Sequence, residues 1–149
     1  MRTVKLAFSP TPAHVRTARL VAVATARNAG VAEGALDEIR LAVGEACSRA
    51  VGLHVQHKRP ELIEVEFTNG YRFEVVVRDS APADKALHAD LAVATPFGAD
   101  GAFAETESEE EVAAGVGLAL LTGLVEDVTV SPATDRDGTV VRMSWPATH

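Results

Sequence analysis

Leu36-Asp37-Glu38-Ile39-Arg40-Leu41-Ala42-Val43-Gly44-Glu45-Ala46-Cys47-Ser48-Arg49-Ala50-Val51 is the stretch whose reading decides the fold. Apolar side chains recur at 36, 39, 43, 46, 47 and 50, one stripe of a helix of 3.6-residue period. The pattern predicts a helix from about Ala35 to Val55, closed by His57-Lys58-Arg59-Pro60. Glu45 and Arg49 fall one turn apart on the face opposite the stripe, where they are neighbours. Taken alone they read as a solvent-facing ion pair; if that face lines a pocket, Glu45 is placed for proton transfer.

Working outward, Val4, Leu6 and Phe8 alternate with Lys5 and Ala7 as a short half-buried strand. Ser9-Pro10-Thr11-Pro12 stops it, with Ser9 or Thr11 as the expected cap of a helix over Ala13 to Asn28 that Gly30 ends. After the central helix, Ile63, Val65 and Phe67 and then Phe73, Val75 and Val77 alternate around Asn69-Gly70, a two-residue turn signal, so a hairpin is expected. From Ser80 to Glu111 the pattern dissolves, with Leu87 to Val93 as one candidate short helix and an acidic run at Glu105, Glu107, Glu109, Glu110 and Glu111. A helix from Gly115 to Val125 follows, then strands around Val128–Val130 and Thr139–Trp145 joined by the turn Asp135-Arg136-Asp137-Gly138. This order predicts an α+β fold, a two-layer sandwich of a mainly antiparallel or mixed sheet with helices on one face.

The chain has 149 residues, a formal charge of −7, 47% hydrophobic and only 5% aromatic residues. That fits a single domain over 1–149 with an aliphatic core. The acidic balance argues against nucleic-acid binding and favours a partner with basic patches. One cysteine, Cys47, on the apolar side of a helix, gives no disulfide framework and points to the cytoplasm. The N-terminal residues lack an apolar leader core, and no run of about 18 apolar residues is present to cross a bilayer.

Individually the chemistry-bearing residues read blandly. Asp79 ends a strand and is as much a turn starter as a ligand for an exocyclic amine. Gly115-Val116-Gly117 opens a helix whose free N–H groups would suit an anion. Gly138-Thr139 reads as a turn entering a strand. His54 and His57, three apart near a helix end, read as structural rather than metal-binding, and no metal site is expected.

Their order is more telling: Glu45 on a helix, Asp79 after a strand, Gly115-Val116-Gly117-Leu118 before a helix, Gly138-Thr139 before a strand. It resembles the GHKL ATPases of the Bergerat fold, and among them the small bacterial anti-sigma factor serine kinases. Leu41-Ala42-Val43-Gly44-Glu45-Ala46 with Ala50-Val51 is similar to that family's first box. The resemblance implies that Glu45 is the general base acting on a serine of an anti-anti-sigma protein. It implies that Asp79 binds the adenine amino group with Thr139 in support. Gly115, Gly117 and Leu118 would bring backbone amides to the phosphates of ATP, and residues 80–112 would form the ATP lid. Two departures stand out. Arg49 replaces an Asn that helps hold Mg²⁺, and a guanidinium, being donor-only, cannot ligate a cation. Ala81 and Ala83 replace glycines after the adenine-binding Asp, where each methyl crowds a nucleotide. The resemblance thus implies a regulator with a degenerate ATP site, with Mg²⁺ disfavoured and kinase activity weak or lost. It would bind a sigma factor, an anti-anti-sigma protein or both, a role compatible with a homodimer; an active serine kinase is the alternative. Arg49 is expected to pair with Glu45 and occupy the base, the other option being direct contact of Arg49 with a phosphate.

Overall fold

The computed structural model describes residues 2–82, 121–134 and 136–147. Strand β1 (Arg2–Phe8) leads into helix α1 (Ala13–Asn28), and a single 3-10 turn (Glu33–Ala35) feeds helix α2 (Leu36–Gln56). Strands β2 (Ile63–Asn69), β3 (Arg72–Arg78), β4 (Asp127–Pro132) and β5 (Thr139–Pro146) complete a five-stranded sheet of order β1-β2-β3-β5-β4, with every pair antiparallel. The fold is the expected α+β arrangement, and the sheet is wholly antiparallel among the described strands.

Alternation decides which sheet face is covered. Ile63, Val65 and Phe67 of β2, Phe73, Val75 and Val77 of β3, and Val141, Met143 and Trp145 of β5 join one buried cluster with the apolar stripes of α1 and α2. Cross-strand pairing sets Phe73 against Trp145, Val75 against Met143 and Val77 against Val141. The opposite face carries charge in ladders, including Arg78–Glu66 at 3.0 Å and Arg142–Glu74 at 2.7 Å. Burying one face and pairing charges on the other fixes the register, because a one-residue slip would exchange the two sets.

That constraint overrides the turn signal in the β2–β3 hairpin. Asn69 pairs with Phe73, so the loop centres on Tyr71 rather than on an Asn69-Gly70 pair. A two-residue turn there would set Phe67 against Arg72 and put β3's apolar set out of register with β2's. The extra loop residue keeps Val75 opposite Phe67, and Tyr71 is left 94% exposed at the tip.

The helix ends follow local chemistry with one correction. Neither Ser9 nor Thr11 caps α1; the N-cap is Pro12 without a side-chain bond, and the two hydroxyls lie 3.4 Å from each other. Gly30 does end α1. With φ of 82° it allows the Val31 N–H to reach the Ala26 carbonyl and its own N–H to reach that of Arg27, the paired bonds of a Schellman ending. Helix α2 ends in the same way, but with Lys58 in the left-handed position at φ 55°. Residues 121–124 are helical, and Leu121 and Val125 enter the core, where the end of the helix expected over Gly115–Val125 falls. Its earlier residues, the candidate helix at 87–93 and all but residues 80–82 of the expected lid lie outside the described residues. No helix among the described residues is long and apolar enough to cross a membrane.

Candidate functional site

Asp79 follows β3 and continues the inward alternation of Val75 and Val77, so its side chain faces the helical layer. Strand β5 meets it there. The Asp79 N–H donates to the Thr139 carbonyl and the Thr139 N–H returns a bond to Asp79 Oδ1, each at 3.1 Å. The approach depends on Gly138, whose φ is +144° and whose missing Cβ would stand 2.1 Å from the Asp79 carbonyl oxygen. No other residue fits that contact. The pair Gly138-Thr139 is therefore more than a turn: it closes the sheet around Asp79.

From the helical side comes Arg49. It follows Ala46 by three residues and Ala42 by seven, so it belongs to the edge of the buried stripe rather than to the opposite face. Its Nη1 donates to Asp79 Oδ2 at 2.8 Å and its Nη2 to Thr139 Oγ1 at 3.5 Å. The two paired side chains are only 3% and 2% exposed. Burial pulls the Arg49 pKa below its ordinary value, and Asp79 opposes that by charge and hydrogen bond. The Arg49 Nε is buried and meets no acceptor among the described residues.

Arg49 therefore does not pair with Glu45, contrary to the sequence expectation. The i, i+4 spacing makes the two neighbours along α2, but the sheet holds a buried carboxylate within reach of the guanidinium. A buried charge is far costlier to leave unpaired than a surface one. Glu45 is half-buried and forms no ion pair or hydrogen bond with the described residues. Its carboxylate is not taken up by Arg49.

The turn after Asp79 is held as firmly. Asp79 Oδ1 also accepts the Ala81 N–H at 3.1 Å, and the buried Ala81 packs against Leu53 of α2. The Ser80 N–H donates to His54 Nε2 at 2.8 Å, while His54 Nδ1 lies 3.1 Å from the Glu61 carbonyl. Sequence reading took His54 as structural; it missed that the ring is fully buried and tied to the Asp79 turn. Ala83, Gly115, Gly117 and Leu118, the other residues of the expected nucleotide site, lie outside the described residues. Among the described residues no group of His, Cys, Asp and Glu is arranged to hold a metal ion.

An antiparallel sheet covered on one face by α1 and α2, with an inward-facing Asp where β3 meets the start of β5, defines the class of protein. The chain belongs to the histidine kinase-like ATPase domain family, part of the GHKL superfamily, whose model matches residues 8–145. No curated protein matches the chain significantly.

That family suggests ATP and Mg²⁺, and among the described residues Arg49 already takes part of the carboxylate that an adenine amino group would use. Asp79 accepts from Arg49, Thr139 and Ala81, which fills three of the roughly four acceptor positions of a carboxylate. An adenine amino group would have to share Asp79 Oδ2 with a buried guanidinium already bonded to it. A donor-only Arg49 adds nothing toward a cation.

Proposed function

We propose that this protein is a regulator of the anti-sigma type that acts by holding a protein partner, with its adenine position closed from inside. The partner would be a sigma factor, an anti-anti-sigma protein or both. One observation supports the reading: Arg49 lies 2.8 Å from Asp79, the carboxylate to which the resemblance assigns the adenine amino group. A domain that keeps its scaffold while occupying its own ligand position retains its surfaces as its useful part. Immobilised protein should capture a sigma factor or an anti-anti-sigma protein from an extract of its host, equally well with and without ATP. Recovery of neither class, or capture that requires ATP, would contradict the proposal.

A second reading rests on Glu45. Because Arg49 is turned toward Asp79, Glu45 is left able to accept a proton from a serine hydroxyl, as a serine kinase would require. Labelled ATP incubated with an anti-anti-sigma protein would then transfer label, and Glu45→Ala would abolish it. Equal labelling by wild type and Glu45→Ala would remove this reading.

A further inference from the structure

His54 joins three parts of the chain through one ring. It sits near the C-terminus of α2 and is 0% exposed. Its Nε2 lies 2.8 Å from the Ser80 N–H, which can only donate, so Nε2 carries no proton. A neutral ring must then hold its proton on Nδ1, which donates to the Glu61 carbonyl just before β2 at 3.1 Å. Both nitrogens are thereby engaged with main chain, one after β3 and one before β2. The Ser80 bond fixes the residue immediately after Asp79, and the next N–H, that of Ala81, completes the Asp79 carboxylate.

We propose that His54 is a proton-sensitive brace: its neutral ring locks the Asp79–Ala81 turn to α2, and protonation of Nε2 releases that turn and loosens the closure around Asp79. A protonated Nε2 presents an N–H to the Ser80 N–H, donor against donor, so the bond cannot persist. The charged groups acting on the ring come from three directions. Asp79 beyond β3 and Glu61 before β2 favour the imidazolium; Arg59 in the α2–β2 connection opposes it. Burial outweighs them and holds the ring neutral to lower pH than an ordinary histidine. The device acts on the same turn as the Arg49–Asp79 closure but does not depend on what the protein binds.

Imidazole nitrogen resonances and amide exchange, followed by NMR on the wild-type protein from pH 8 to pH 5, test it directly. His54 should show a protonated Nδ1 and a bare Nε2 at pH 8, and should titrate below the ordinary histidine range. As it titrates, protection factors at Ser80 and Ala81 should fall at least tenfold while those at Val65 and Val75 hold. His54→Gln, which offers an acceptor but no titration, should keep Ser80 protection flat across the same range. A proton on Nε2 at pH 8, unchanged Ser80 protection through the His54 titration, or the same acid loss in a folded His54→Gln would overturn the proposal. Should His54→Gln fail to fold, the wild-type tautomer and exchange still decide.

Discussion

Replacing Arg49 with Met removes the guanidinium while keeping an unbranched stem. Asp79, only 2% exposed, would then be a buried carboxylate without its counter-ion. Breaking a buried pair by deleting one partner costs about 3–5 kcal/mol. The two backbone N–H groups that still reach Asp79 Oδ1 place the expected loss toward the lower end. Had Arg49 paired with Glu45 on the surface, the loss would be about 0.2–0.5 kcal/mol, so the two arrangements differ roughly tenfold in energy. Urea denaturation resolves this, provided the m-value is unchanged. Asp79→Asn supplies the other edge of a double-mutant cycle, in which coupling of about 1 kcal/mol or more to Arg49 is expected. A loss below about 1 kcal/mol, or coupling of Arg49 to Glu45→Gln instead, would refute the assignment.

Other consequences follow from single residues. Lys58→Gly should stabilise the protein by up to about 1 kcal/mol, read as a raised denaturation midpoint, because Lys58 holds a left-handed conformation that glycine adopts freely. Gly138→Ala should cost about 3 kcal/mol or more, since it combines φ of +144° with a clash against the Asp79 carbonyl; a change below about 1 kcal/mol would show that β5 does not close on Asp79 in this way. Cys47, whose thiol burial pushes up to about 12 against a small opposing effect of Arg19, should resist a thiol reagent in the native state and react only as the protein unfolds. Because the folded-state pKa of His54 lies below the unfolded value of about 6.5, the unfolded chain binds the proton first on acidification. Its contribution is therefore fully present above pH 6.5 and is lost as pH falls through the folded value. Urea midpoints from pH 8 to pH 5 should show that decline, and a folded His54→Gln should lack it.

The layers of this fold were legible because each rests on a period. The 36, 39, 43, 46, 50 stripe and the alternations at 63–67 and 73–77 place their residues without reference to anything distant. What was not legible depends on contacts between elements. The turn at Asn69-Gly70 reads locally as two residues and is lengthened by the need to keep Phe67 opposite Val75. Arg49 has an obvious neighbour in Glu45 at four residues and an actual partner thirty residues away. A signal for that partner did exist: extending the alternation of Val75 and Val77 by one step puts Asp79 on the inner face, where its charge needs an answer. Gly138 gave none, because a glycine before a strand looks the same whether or not a carbonyl presses against it. For His54 the cue was its place beside Leu53 on the stripe, but the Ser80 bond depends on where β3 ends.

Calorimetric titration of ATP and ADP into the wild-type protein, with Mg²⁺ and with chelator, tests the central claim most directly. The claim is that the buried Arg49–Asp79 pair closes the adenine position from within. No binding is predicted for either nucleotide in either condition. Magnesium-dependent binding at micromolar affinity would mean that the pair yields to nucleotide, and would contradict the account at its centre.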